Sequence, residues 1–292
     1  MDTSRASLAD LKHYLQVATE AAQAGGVLLM QHRGALSQVR VKSASGDLVT
    51  EADLASERAI LSRFKAALPT HAILAEESGA HPADNGHTES DYLWAIDPLD
   101  GTLNYAHGLP FFCVSIGLLI RGKPRVGVVY APALNHLYTG IVAPEGDSAE
   151  ALAFCNDAAL QVSIADDLKT SLLATGFPYH RSELSDNNYA EFMYFADRTQ
   201  DIRRPGAAAL DLCFVASGCY EGYWEQYLNP WDVVAGAAIV EAAGGQISAY
   251  NGDALDPYSG AIVASNGHIH SLLIEGLQQV AAKKGSSHAG QR

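Results

Sequence analysis

Apolar residues recur in two rhythms along this chain, one helical and one alternating. Behind Ser7, the stretch "LADLKHYLQVATEAAQAGGVLLMQHRG" repeats its apolar positions at helical spacing. It predicts an amphipathic helix capped by that serine, with Gly25-Gly26 as a soft spot. "ADLASERAILSRFKAAL" predicts a second helix, stopped by Pro69. Between them, "SQVRVKSASGDLVTEAD" is polar, contains glycine and predicts a loop or hairpin. "HAILAEES" predicts a short strand ending on acids, "HPADNGHTES" a loop, and "YLWAI" a buried strand. "FFCVSIGLLIRGKPRVGVVYAPALNHLYTGIV" alternates β-rich runs with turn residues, the pattern of an antiparallel meander.

A second half begins near "SIADDLKTSLLAT". There "NNYAEFMYFADRTQ" and "GAAALDLCFVASGCY" predict helices and "EGYWEQ" a strand. "PWDVVAGAAIVEAAGG" predicts a helix with Pro230 before it and Gly244-Gly245 after it. Helices and strands mix without a regular βαβ period, which favours an α+β class of layered sheets and helices. We expect a single domain over 1–282, made of two closely packed halves (about 1–158 and 159–282), and a disordered tail over 283–292.

Composition narrows the classes. The chain has 292 residues and is 48% hydrophobic, ample for a full core. Its formal net charge is -14 and it shows no basic patch, which argues against direct nucleic-acid binding. The acidic excess fits either a well-solvated surface or carboxylates gathered for cations. No apolar run reaches the length that spans a bilayer, and "MDTSRASLAD" has no apolar signal core. Cys113, Cys155, Cys213 and Cys219 form no C-x-x-C pair and sit among apolar neighbours, as buried reduced thiols of a cytoplasmic protein would.

The candidate chemistry lies in "WAIDPLDGTLNY". Asp97 and Asp100 follow a strand, with Pro98 between them and Gly101-Thr102 after them. Proline forbids a simple continuation of the ladder, and glycine lets the backbone turn sharply. A short helix starting at Gly101-Thr102 would aim free N–H groups outward as an anion site. Two carboxylates beside such a nest suit divalent metals holding a phosphate. The plainer reading is an Asx-type turn, which needs only one such aspartate. The D-x-D-G-T motif of haloacid-dehalogenase-like phosphatases has its acids two apart near the chain start. Here the spacing is three and the motif is internal, so a phosphoaspartate route is the weaker reading.

The fuller string D-P-L-D-G-T-x-N resembles the inositol monophosphatase family. Three more segments agree, each in the expected order: "VKSASGDLVTEAD" with Lys42 and Asp53, "AEES" with Glu76 and Glu77, and "NPWDVVAG" with Asp232. The resemblance covers nearly the whole chain. It implies a layered αβαβα sandwich of the sugar-phosphatase type. It also implies a Mg2+-dependent, Li+-sensitive, homodimeric phosphomonoesterase that acts on myo-inositol monophosphate or a related small polyol or sugar phosphate. Water would attack phosphorus directly, with no phosphoenzyme.

Residue by residue, the resemblance implies that Glu76, Asp97 and the carbonyl of Leu99 bind a first Mg2+. Asp97, Asp100 and Asp232 bind a second, and Glu76 with waters holds a third. Gly101 and Thr102 offer N–H groups to the phosphate beside Asp100, and Thr102 and Asp53 orient the water. Glu76, Thr102 and Asp53 are thus the implied catalytic set. Plainer readings stand beside these: Glu77 as support for Glu76, Asp232 as a helix N-cap, Lys42 as a solvated loop lysine, and Trp94 and Trp231 as core.

On the substrate side, "RRPGAAALDLC" matches a segment where family members usually carry Gly-Ser/Thr-Ala-Ala. Ala207 lacks that hydroxyl, while Gly206 and Ala208 can still present backbone groups at a helix start. Glu225 matches a residue that contacts substrate hydroxyls. Alternative substrates for the same chemistry are histidinol phosphate, fructose 1,6-bisphosphate and adenosine 3',5'-bisphosphate. An alternative of another class is a partner-binding regulatory protein with a retained phosphatase site, as in some bacterial relatives in transcription complexes.

Overall fold

The first helix, α1 (Leu8–His32), starts at the expected cap. The Ser7 hydroxyl accepts the Asp10 N–H at 3.2 Å, and the Asp10 carboxylate accepts the Ser7 N–H at 2.9 Å. The structure, a computed structural model, describes residues 6–36, 39–42, 47–84, 91–143 and 152–289, with side chains as far as Lys284. The glycine pair expected to soften α1 is instead a close contact. A methyl at Gly25 would stand 2.6 Å from Ser56 Oγ on the second helix, and one at Gly26 would run into the Tyr130 ring.

The chain continues through the hairpin β1 (Val39–Val41) and β2 (Leu48–Thr50), then α2 (Glu51–Ala67), β3 (Ala72–Ala75) and β4 (Gly79–His81). Next come β5 (Tyr92–Asp100), α3 (Thr102–Ala106), and the meander β6 (Cys113–Ile120), β7 (Lys123–Ala131) and β8 (His136–Ile141). Two short strands, β9 (Leu152–Cys155) and β10 (Ala158–Ala159), complete the first half. The second half runs β11 (Leu172–Thr175), α4 (Tyr189–Ala196), β12 (Asp201–Arg203), α5 (Ala208–Ala216) and β13 (Gly222–Gln226). It ends with α6 (Pro230–Ala242), β14 (Gln246–Ser248), β15 (Ala261–Ser265) and α7 (His270–Ala289).

Among the described residues the strands form an eight-stranded sheet, ordered β10-β9-β8-β7-β6-β5-β3-β4, and a five-stranded sheet, ordered β12-β11-β13-β15-β14. Side-chain alternation sorts the core into layers. Trp94 and Ile96 of β5 face α1 and α2, while Ala95 faces α5 and α6. Ala174, Tyr223 and Ala264 close on α5 and α6 from the second sheet, and Leu173, Trp224 and Val263 face α4 and α7 on its far side. The result is the αβαβα sandwich that the resemblance implied.

Several sequence expectations need correction. The helix α7 was not foreseen and runs to Ala289, into the stretch expected as a disordered tail. Residues 290–292 of that stretch, 85–90 of the expected loop, and 37–38 and 43–46 of the expected loop or hairpin lie outside the described residues. The thiols are all free, yet only Cys113 and Cys213 are buried, and Cys219 is exposed. No helix among the described residues is long and apolar enough to cross a membrane.

Candidate active site

In a regular strand, residues three apart point to opposite faces, so Asp97 and Asp100 should diverge. A bulge prevents this. Asp97 pairs with Ser115 and Asp100 with Cys113, so Pro98 and Leu99 together oppose only Val114. The extra residue restores parity, and both carboxylates line one pocket of about 600 Å3. The turn is held locally: the Leu99 N–H donates to Asp97 Oδ1 at 2.8 Å. Gly101 then adopts φ 87°, a left-handed conformation that a side chain would strain, and α3 begins at Thr102.

The other carboxylates arrive from three elements. Parallel pairing of β3 with β5 sets Ala75 against Ile96, and the Glu76 N–H donates to the Ile96 carbonyl at 3.0 Å, so Glu76 emerges beside Asp97. Asp53 is the third residue of α2, where it accepts the Thr50 N–H at 2.8 Å in a capping box. Its other oxygen lies 3.2 Å from Thr102 Oγ1. The Thr102 hydroxyl also reaches the Leu99 carbonyl at 3.0 Å, and its single proton serves one acceptor at a time. Asp232 is not the N-cap of α6. That position is Asn229, whose N–H donates to Asp232 Oδ2 at 2.7 Å.

The start of α6 is carried into place by contacts that local sequence patterns do not reveal. Ser115, opposite Asp97, is fully buried and donates to the Trp231 carbonyl at 3.0 Å. Beyond it, Gly117, Gly127 and Gly140 of three adjacent strands lie directly under the α6 backbone, with no room for a side chain at any of them. On the opposite wall, the Ala209 N–H at the start of α5 donates to Asp100 Oδ2 at 2.8 Å. Asn104 of α3 donates to Phe111 O at 2.8 Å and Pro205 O at 2.9 Å, which joins the two halves of the chain.

Gly206 and Ala208 line the pocket, whereas Ala207 is buried. Glu225 of β13 lines the far side, takes a hydrogen bond from the Tyr223 hydroxyl, and leaves no room for a side chain at Gly176. Lys42 places Nζ 2.8 Å from Glu76 and 2.5 Å from Glu77, and the Glu77 N–H donates to the buried Glu57 at 2.9 Å. Trp94 is core; Trp231 borders the pocket.

Electrostatics show what the cluster lacks. Burial raises Asp97 and Asp232 well above the carboxylate range, and mutual repulsion adds to it: Glu76, Asp100 and Asp232 act on Asp97, and Asp100 and Glu76 on Asp232. Burial lifts Asp100 to about 7, opposed in part by the Ala209 N–H. Burial also lifts Asp53 to about 6 and Glu77 and Glu225 to about 7. Burial disfavours the Lys42 ammonium, but Glu76 and Glu77 outweigh it and push its pKa up.

Among the described residues no group of three or more His, Cys, Asp and Glu side chains is close enough to hold a metal ion. The chemistry of the lining still fits a hard divalent cation: Glu76, Asp97, Asp100 and Asp232 bring oxygen donors to one pocket, and burial, with charge repulsion adding to it, makes the ionised forms of Asp97, Asp100 and Asp232 costly without a counter-ion.

Comparison with known proteins identifies the family of the chain. A family model described as "Inositol monophosphatase family" matches residues 10–282. The chain is 47% identical over 271 residues to an inositol-1-monophosphatase of Synechocystis sp., covering 93% of this chain and 91% of that one. It is 38% identical over 266 residues to Nus factor SuhB of Pasteurella multocida, covering 90% and 95%. The solved inositol monophosphatase from Anabaena (Nostoc) sp. PCC 7120 superposes with a TM-score of 0.81 at 46% identity, covering 92% of this chain and 97% of that one.

Proposed function

Because the chain belongs to the inositol monophosphatase family of phosphoric monoester hydrolases, we propose that it hydrolyses myo-inositol monophosphate or a related small polyol or sugar phosphate with Mg2+. The observation that carries this reading is the bulge at Pro98-Leu99, which turns Asp97 and Asp100 to one side beside Glu76 and Asp232. When bound, divalent cations, up to three of them, would neutralise these carboxylates, grip the phosphate oxygens and acidify the attacking water.

The chain's own groups have distinct tasks in this reading. Glu76, Asp97, Asp100, Asp232 and the Leu99 carbonyl hold the cations. Asp53 and Thr102, 3.2 Å apart, orient the attacking water, and Asp53, at about 6, can accept a proton near neutral pH. The N–H groups of Gly101 and Thr102 face the phosphate, and Glu225 accepts hydrogen bonds from the hydroxyls of the leaving alcohol. The Ala209 N–H is committed to Asp100, so the α5 end aligns a carboxylate as well as the pocket wall. A cytoplasmic, Li+-sensitive homodimer completes the proposal.

The test is a panel of phosphate monoesters assayed with Mg2+ and with EDTA: inositol 1-phosphate, histidinol phosphate, fructose 1,6-bisphosphate and adenosine 3',5'-bisphosphate. Turnover of a polyol phosphate that EDTA abolishes is the expected result. The similarity to a relative named Nus factor SuhB supports a second reading, a regulatory protein that retains a phosphatase site. Failure on every ester in the panel would favour it.

A further inference from the structure

We infer that Lys284 of α7 is a positioning residue that latches one wall of the substrate pocket. The inference rests on the reading of this pocket as the site of phosphate-ester hydrolysis. Lys284 Nζ lies 2.6 Å from Asp186 Oδ1 and 2.7 Å from Glu191 Oε1. Burial disfavours its charge, yet the two carboxylates outweigh that and raise its pKa. Glu191 is 5% exposed, and its Oε2 has no hydrogen-bond partner. That carboxylate is therefore buried largely against the lysine, and removing the lysine would leave a buried charge poorly compensated.

Asp186 ends the segment 177–186, from which Phe177, Tyr179, His180, Glu183 and Leu184 line the pocket. The far end of this segment is fixed from within. Asn188, in a left-handed conformation at φ 70°, donates to Thr175 Oγ1 at 2.8 Å and to Gly176 O at 2.6 Å, and accepts from Trp224 Nε1 at 2.7 Å. Asn187 donates to Arg181 O and Leu184 O, each at 3.0 Å, which folds the segment on itself.

Asp186 is held by two contacts from outside the segment: the half-exposed Lys284 pair and a 3.0 Å hydrogen bond from Tyr227, itself a pocket residue. Tyr227 follows directly on β13, and Glu225 of that strand lines the same pocket. The latch thus acts on the wall around the leaving alcohol. Loosening the wall lowers the fraction of molecules competent to bind, which raises KM and spares kcat.

The experiment compares wild type with Lys284→Met, Lys284→Arg and Asp186→Asn. Trypsin cleavage at the exposed Arg181 of the segment is followed by mass spectrometry, and KM and kcat are measured on inositol 1-phosphate. A broken ion pair of this exposure should speed cleavage at Arg181 about fivefold in Lys284→Met and in Asp186→Asn. KM should rise about threefold or more with kcat within about twofold. Lys284→Arg should return both readouts to wild type. Asp186→Asn removes the pair from its more exposed partner, so it guards against a folding defect in Lys284→Met. Unchanged cleavage, unchanged KM, a fall in kcat alone, or no rescue by arginine would each overturn the latch. If the wild-type protein hydrolyses no ester, the functional reading fails, and the proteolysis arm still decides whether Lys284 holds the segment.

Discussion

Replacing Gly117 by alanine probes how closely α6 must sit for Asp232 to join the other carboxylates. A methyl at Gly117 would stand 2.5 Å from the Ala235 nitrogen and 2.8 Å from the Val234 carbonyl carbon. Helix backbone atoms cannot rotate aside as a side chain can. Relief to an ordinary contact therefore needs about 0.9 Å of extra separation between β6 and α6. Overpacking of this kind costs about 1–3 kcal/mol, which should lower Tm by roughly 2–8 °C. The larger effect is expected at the site. Asp232 moves with its helix, and a displacement near 1 Å in a catalytic array can cut kcat by about 10- to 100-fold. Differential scanning fluorimetry with and without Mg2+, Mg2+ calorimetry and kcat together separate the two effects. A variant with wild-type Mg2+ affinity and kcat would refute the link between this contact and the position of Asp232.

Asp97→Asn keeps an acceptor for the Leu99 N–H but removes a buried charge. It should reduce turnover by at least about a thousandfold, yet raise Tm in EDTA because burial first, and then Glu76, Asp100 and Asp232, oppose an ionised Asp97 in the metal-free fold. A less stable metal-free variant, measured by fluorimetry, would contradict the charge argument. Burial holds Asp53 at about 6 and Glu225 at about 7, so these groups bind protons more tightly in the folded chain than in the unfolded one. Metal-free protein should therefore lose stability as pH rises from about 4 to about 7, and Mg2+ should stabilise most at the upper end. A Tm in EDTA that climbs through that window is the opposing result. Direct attack by water makes one in-line displacement and should invert configuration at phosphorus. Retention in a chiral thiophosphate assay would point to a phosphoaspartate instead.

Local chemistry was readable from the chain alone. Ser7, Pro69 and Pro230 mark helix boundaries through groups within a few residues of each, and the meander shows in its alternation. The acids of "WAIDPLDGTLNY" and their partners in other segments were visible as residue types. Their convergence was not. Spacing by itself sends Asp97 and Asp100 to opposite faces, and only the pairing of β5 with β6 shows the bulge that unites them. Asp100 meets the Ala209 N–H, and Ser115 meets Trp231, across more than a hundred residues of chain. No window of local periodicity contains both partners of either pair. Gly25-Gly26 reads as a soft spot in a helix, and nothing in the sequence singles out Gly117, Gly127 or Gly140. Packing makes each of them a place where one backbone approaches another element. Lys284 falls in the stretch the sequence marks as a disordered tail, because its partners, Asp186 and Glu191, lie nearly a hundred positions away. Sequence determines which groups are available and how each short segment folds, through interactions that span one or two turns. Tertiary structure decides which groups meet, because burial and charge act through space between segments that the chain order keeps apart.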